Sequence, residues 1–290
     1  MNILVTGANG QLGRAFRRRA GASSDHYIFT DITSDPTLDT VWLDVTNPDA
    51  VRLICASGRI DIIINCAAFT DVDKAEQDLR MAELLNRVAP GYLADIARER
   101  NALLIHFSTD RIFRGEIPIP IREDFPAAPS GAFGATKLQG EEAIRNSGCR
   151  SVIIRTSWLY SPEGDNFMTR MKGLTMQRKK LKVVYDQVGS PTRAADLADA
   201  VCRIIETRQT DKTGVYHYAD EGVCSRYDFA CAVRDLSGSD CNILPIRSSE
   251  YPSAASRPHY SVLDKTLFKT TFGIAIPHWY ASLKDCLEKR

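Results

Sequence analysis

The stretch "NILVTGANGQLGRAF", Asn2 to Phe16, decides the fold. It reads as an apolar, β-branched run, then Gly7-x-x-Gly10-x-x-Gly13, then an amphipathic segment. Glycines at this spacing permit a tight turn and let backbone N–H groups approach a pyrophosphate, which the positive end of the following helix favours. Three glycines alone are a weak signal. The strand before them, the helix after them and an acid at the end of the next strand strengthen it. That acid is Asp31, placed to meet the hydroxyls of an adenosine ribose. Its charge opposes a 2′-phosphate and no arginine follows closely in "DITSD", which favours NADH over NADPH.

Outward from this loop, apolar runs alternate with amphipathic ones. Strands are predicted at 2–6, 27–31, 61–65, 102–107 and 151–156. Helices are predicted at "LGRAFRRRA", "DAVRLICAS" and "MAELLNRVAPGYLADIARER" between them, and at "AADLADAVCRIIETR" and "SRYDFACAVRDLSG" beyond. Continuously apolar rather than alternating strands suit a parallel sheet covered on both faces. The expected fold is therefore α/β, a doubly wound parallel (Rossmann) sheet with a smaller α/β substrate lobe. After about residue 157 the rhythm loosens into Pro-, Gly- and Ser-rich loops such as "DQVGSPT" and "RSSEYPSAASRPHYS" (247–261). The expected division is a dinucleotide-binding domain at 1–157, rejoined by segments roughly within 185–235, and a lobe at 158–290 that is mainly substrate-binding.

Composition narrows the function. In 290 residues, 37 Lys and Arg stand against 36 Asp and Glu, so no global field draws nucleic acid or an anionic membrane. The basic cluster Arg14–Ala20 reads as a solvated helix face. No apolar run approaches the ~20 residues of a membrane helix, and the strand at residue 2 leaves no room for a cleavable leader. Eight cysteines with no C-x-x-C argue against a zinc site or a disulfide frame, and no metal is expected. The chain reads as cytoplasmic.

Further segments point at one crevice. Small Ala67 and Ala68 in "NCAAFTDVDKAE" would let backbone approach a cofactor, and Asp44 in "WLDVTN" stands where an adenine amino group could be met, or caps a helix. "IHFSTDRIF" ends a strand in Ser108, Thr109 and Asp110, where a hydroxyl can hydrogen-bond a carbonyl and the oxyanion that grows from it. "GAFGATKLQGE", Gly131 to Glu141, has the frame of a Y-x-x-x-K pair, in which residues i and i+4 share a helix face. The lysine lowers the pKa of the phenol and holds the nicotinamide ribose, while the phenol protonates the alkoxide. Here Lys137 is present, but Phe133 occupies the tyrosine position: the ribose clamp can survive and the proton donor cannot.

Taken together, "NILVTGANGQLG", "DIIINCAAFTDVDKAE", "FSTD", "GATKLQGEEAI", "IIRTSWLY", "DQVGSPT" and "SRPHYSVLD" resemble the dTDP-4-dehydrorhamnose reductase family of the extended short-chain dehydrogenase/reductase superfamily, nearly end to end. The resemblance implies reduction of a 4-keto dTDP-sugar to dTDP-L-rhamnose with NADH or NADPH, in a homodimer. It implies cofactor contacts at Gly10, Gln11, Leu12, Asp31, Asp44, Ala67, Ala68, Thr70 and Lys137, substrate contacts at Val72, Thr109, Asp110 and Trp158, and catalytic positions at Thr109, Phe133 and Lys137. Relatives usually read S-T-D-Y-V-F-D-G and V-Y-G-x-[ST]-K, where this chain has Arg111 and Phe133 in place of two tyrosines. Arg111 hardly gives up a proton but can stabilise an alkoxide while water supplies one. The alternative is a non-catalytic dinucleotide-binding regulatory protein, similar to the methionine adenosyltransferase β subunit.

Overall fold

The computed structural model describes residues 1–251 and 254–288; Pro252 and Ser253, inside the loop expected at 247–261, lie outside the described residues. Strands β1 (Asn2–Thr6), β2 (His26–Asp31), β3 (Val41–Trp42), β4 (Ile62–Asn65), β5 (Leu103–Thr109) and β6 (Ser151–Thr156) join a seventh strand, Gly214–His217. The seven form one sheet in the order Gly214–His217, β6, β5, β4, β1, β2, β3. Every pairing in it is parallel. The chain runs outward from β1 through β2 and β3, then returns to β4 on the other side. The carboxyl ends of β1 and β4 therefore bound the crevice where strand order reverses. This is the doubly wound architecture read from the sequence.

Alternation along each strand divides the core in two. Ile3 and Val5 pack with Phe16, Leu197, Val201 and Phe268 on one face, while Leu4 packs with Val51, Leu93 and Ile144 on the other. Each of these fully buried apolar side chains contributes about 1.5–3 kcal/mol. The first face is covered by α1 (Gln11–Ala20) and the helix Ala194–Glu206, the second by α2 (Pro48–Ser57) and the helices Ala89–Glu99 and Ala132–Ser147. Separate apolar clusters around Tyr160, Phe229 and Trp279, and around Leu181, Val183 and Ile243, form the centre of a second lobe. There Lys180–Val184 pairs in parallel with Asn242–Ile246.

Two expectations need correction. The single helix read at 81–100 contains a wide π-turn over Leu84–Val88. Pro90 has no N–H to offer the carbonyl of Asn86, and the turn aims the buried Asn86 side chain at Phe69 N (2.9 Å), Phe69 O (3.1 Å) and Thr136 Oγ1 (3.2 Å). The basic cluster of α1 is half-exposed, but it is paired rather than simply solvated. Arg14 pairs with Asp35, Arg18 with Glu163, and Arg19 with Asp199 and Glu206, while Arg17 lies over the Phe29 ring at 4.3 Å. The tertiary fold brings the ion-pair partners to the arginines from 21 to 187 residues away in sequence, so helical periodicity could not find them.

Candidate active site

A single cleft of about 940 Å³ runs along the carboxyl edge of the sheet and is closed from above by residues of the second lobe. At one end stands the glycine loop. Gly7 has φ +62°, and a Cβ there would stand 2.6 Å from Ala67 N, so the loop rests directly on the chain leaving β4. Gly13 does not line the cleft. A Cβ on it would collide with Gly7 O and with Ala8, so its role is to let α1 close onto the strand. Gly10 caps α1 without any side-chain hydrogen bond, which leaves the first-turn N–H groups turned to the cleft beside Gln11 and Leu12.

Asp31 is nearly buried and anchors this loop. Its Oδ2 accepts from Asn9 N (2.9 Å), and its Oδ1 accepts from Thr33 N (2.9 Å) and Thr33 Oγ1 (2.8 Å). A carboxylate offers about four lone-pair sites, so three anchoring bonds leave one for a ribose hydroxyl. Asp44 likewise lines the cleft while one oxygen accepts from Thr46 N and Oγ1. Ala67, Ala68 and Thr70 complete this side. Across the cleft, Gln11 Oε1 accepts from Ser161 Oγ (3.1 Å) and Asn166 Nδ2 (2.9 Å), which ties the loop to the second lobe.

The other end carries the strand-end hydroxyls and the helix lysine. Ser108, Thr109 and Asp110 line it with Phe133 and Lys137. Thr109 caps a short 3₁₀ turn: its Oγ1 accepts from Arg111 N (3.2 Å) and donates to Asp110 Oδ1 (3.1 Å). Burial raises the Asp110 carboxyl above its ordinary range. Ser108 Oγ is buried with no hydrogen-bond partner. Lys137, one turn along the helix Ala132–Ser147 from Phe133, donates to Phe107 O at 2.6 Å and stands 3.2 Å from His106 Nε2. Burial pulls this lysine down to about 8 and holds His106 well below its ordinary range.

A buried polar row supports the lysine. Thr6, Asn65 and His106 are register neighbours across β1, β4 and β5. Asn65 Oδ1 accepts from Thr6 Oγ1 (2.7 Å) and Ala67 N (3.2 Å), so its Nδ2 faces His106 Nδ1 (3.0 Å). His106 Nδ1 is then the acceptor and the ring proton sits on Nε2, where it can donate to Lys137 Nζ only when the lysine is neutral; the ammonium is held by Phe107 O. Neither Asn65 nor His106 was singled out from the sequence. The available signal was a polar residue at the last or near-last position of an otherwise apolar strand, repeated in three strands.

Trp158 lines the cleft with a left-handed backbone, φ +47°, which is strained for a bulky residue. The Arg226 guanidinium lies 3.6 Å from the indole centroid; no sequence pattern distinguishes this arginine. Val72 stands apart from the cleft, in a small void behind Arg111 and Phe133. All eight cysteines are free, and among the described residues no helix is long and apolar enough to cross a membrane.

The family model described as "RmlD substrate binding domain" matches residues 1–290. The spore coat polysaccharide biosynthesis protein SpsK of Bacillus subtilis is 37% identical, over 99% of this chain and 97% of that protein. The dTDP-4-dehydrorhamnose reductase of Escherichia coli K12 is 36% identical, over 100% and 98%. Among solved structures, a dTDP-4-dehydrorhamnose reductase from Clostridium acetobutylicum superposes with a TM-score of 0.91 at 38% identity, covering 99% of each chain. One from Bacillus anthracis in complex with NADP gives 0.90 at 32% identity, covering 100% of this chain and 99% of that one. The chain belongs to the dTDP-4-dehydrorhamnose reductase family of the extended short-chain dehydrogenase/reductase superfamily.

Proposed function

We infer that the chain reduces the 4-keto group of dTDP-4-dehydro-L-rhamnose to give dTDP-L-rhamnose, with NADH or NADPH as reductant. One observation carries this reading: a single cleft joins the glycine loop and Asp31 to Thr109, Lys137 and Trp158. The uncapped first turn of α1 and the orphaned Ser108 hydroxyl fit a dinucleotide, with Gly10, Gln11 and Leu12 toward its phosphates, Asp31 and Asp44 toward adenosine, and Lys137 toward the nicotinamide ribose. When bound, the reduced nicotinamide supplies a hydride. Thr109 orients the carbonyl and donates to the oxygen as it gains charge, and Trp158 covers the sugar against water. With no phenol at 133, water gives the proton and Arg111 steadies the alkoxide.

The dinucleotide domain in this reading is residues 1–157 with returning segments, and residues 158–290 mainly hold the sugar. Pairing of Gly214–His217 with β6 and packing of Ala194–Glu206 beside α1 support the return. The test is stopped-flow oxidation of NADPH and of NADH by the purified chain with dTDP-4-dehydro-L-rhamnose, with the product identified by NMR. Formation of dTDP-L-rhamnose supports the reading. Dinucleotide binding without any turnover favours the second reading, a regulatory dinucleotide-binding protein, for which the missing hydroxyl at Phe133 speaks.

The lysine supplies a pH dependence. Held at about 8 by burial, Lys137 is protonated below that pH and neutral above it. Dinucleotide affinity is expected to be flat from pH 6.5 to 7.5, then to fall by up to about tenfold per pH unit as the ammonium is lost. Lys137→Met is expected to bind more weakly at pH 7 and to show no break near 8. Fluorescence titration with NADPH measures both; an unchanged profile in the variant would remove Lys137 from the dinucleotide site.

A further inference from the structure

The buried row Thr6, Asn65 and His106 ends on Lys137 with a fixed polarity. His106 lies in the middle of β5 and is 1% exposed, where an apolar side chain would cost less than an imidazole. Backbone sets its orientation. Asn65 Oδ1 accepts from Ala67 N, the atom against which Gly7 is packed, and turning the amide over would set its NH2 against that N–H. Asn65 Nδ2 therefore faces Nδ1 of the ring at 3.0 Å, and the ring proton, on Nε2, faces Lys137 Nζ at 3.2 Å.

This polarity distinguishes the two forms of the lysine. A neutral amine has two N–H groups and a lone pair. One N–H goes to Phe107 O (2.6 Å), the lone pair takes the Nε2 proton, and one N–H is left for the cleft. An ammonium has donors only. It keeps Phe107 O but sets donor against donor at His106, and the buried ring N–H is stranded. Among the described residues, the other groups whose charge acts on Lys137 are Glu141, on its own helix, and Cys66, on the chain leaving β4. Glu141 is committed to Arg155, and burial keeps the Cys66 thiol protonated. Neither is hydrogen-bonded to Nζ, so His106 is the side chain whose hydrogen bond tells amine from ammonium.

We propose that His106 is a positioning residue for the dinucleotide clamp: its Nε2–H, oriented by Asn65, favours the neutral amine of Lys137 before binding, so that a dinucleotide binds together with a proton. The proposal rests on reading the cleft as a dinucleotide site with Lys137 at the nicotinamide ribose, and deepens that reading. Ribose hydroxyl oxygens accept from an ammonium and the diphosphate charge favours it, so the bound state reverses the preference set by the ring. The proton comes from solvent and ends on Lys137 Nζ. Cofactor affinity thereby follows pH through a side chain on β5, two strands from the strand that leads into the glycine loop.

Calorimetry of NADPH binding at about pH 8.5 in Tris and in bicine, whose ionisation enthalpies differ, counts the protons taken up; fluorescence locates the pH at which affinity begins to fall. The wild type takes up between about half and one proton per NADPH, as an amine largely neutral at that pH becomes a bound ammonium. His106→Phe removes the donor. It moves the break upward by about half to one pH unit, the weight of one hydrogen bond, and lowers the uptake with it. His106→Gln keeps the wild-type break and uptake, because Asn65 Nδ2 takes the amide oxygen and turns the NH2 to Lys137. A packing role alone would weaken binding alike at every pH and move no break. Cooperative thermal melting checks that each variant is folded, and His106→Leu replaces His106→Phe where the larger ring prevents folding. Three results overturn the proposal while leaving dinucleotide binding intact: no proton uptake by the wild type, an unmoved break on loss of the donor, or a His106→Gln break that shifts as far as that of His106→Phe. A wild type that binds no NADPH fails the reductase reading itself, and the proposal with it.

Discussion

Phe133→Tyr is expected to raise the single-turnover rate of hydride transfer to dTDP-4-dehydro-L-rhamnose by about 10²–10⁴, the usual contribution of one positioned general acid. Phe133 is the second residue of the helix Ala132–Ser147 and lines the cleft, where the added hydroxyl is expected to act. One turn on, Lys137 is already held by Phe107 O, with the His106 ring beside it. Its ammonium would lower the pKa of the new phenol and favour proton release to the alkoxide. The gain should appear in kcat with little change in KM, because the hydroxyl acts on the transition state and not on ground-state binding. Stopped-flow NADPH oxidation at saturating sugar measures it. Equal rates in both forms would mean that protonation does not limit this chain, and an absence of turnover in both, with intact dinucleotide binding, would support the regulatory reading.

Glu141→Leu should cost about 3–5 kcal/mol of stability, the typical penalty for stranding one member of a buried ion pair. Arg155 Nε donates to Glu141 Oε1 at 3.0 Å and Nη2 donates to Oε2 at 2.8 Å, with 5% and 0% of the two side chains exposed. Arg155 Nη1 also donates to Glu123 O (3.0 Å), and the guanidinium lies 5.4 Å from the Phe113 ring. Without Glu141 that charge stays in place with its bidentate partner gone. A loss of this size lowers the melting temperature of a chain this long by roughly 5–8 °C. Adding Arg155→Met should recover much of it, since an apolar pair of similar volume removes both desolvation penalties. Thermal and urea denaturation of the single and double variants decide the matter, and a double variant no better than Glu141→Leu would show that the pair is not the cause. Glu141 also raises the protonation of Lys137, four residues earlier. Its loss should therefore shift the break in dinucleotide affinity below pH 8.

Much of the site was legible because its signals are local. Gly7, Gly10 and Gly13 declare a turn that few other residues can make, and the run of apolar strands places their carboxyl ends on one edge. The Phe133–Lys137 spacing is a single helical turn, readable without any fold. His106 escaped notice because a histidine inside "ALLIHF" looks like a core residue until β4 brings Asn65 to one side and the helix Ala132–Ser147 brings Lys137 to the other. Arg17 and Arg19 were misread for the same reason, their partners lying far along the chain.

By itself, then, the sequence determined the doubly wound sheet, the glycine loop and the missing phenol, since strand periodicity, glycine spacing and an i,i+4 pair depend only on neighbours along the chain. Only the tertiary structure decided which charges meet: that Lys137 rests against a buried histidine, that Glu141 neutralises Arg155, and that Arg111 and Arg226 face one cleft beside Asp110. Coulomb and desolvation energies depend on distances in space, and strand order, not sequence separation, sets those distances.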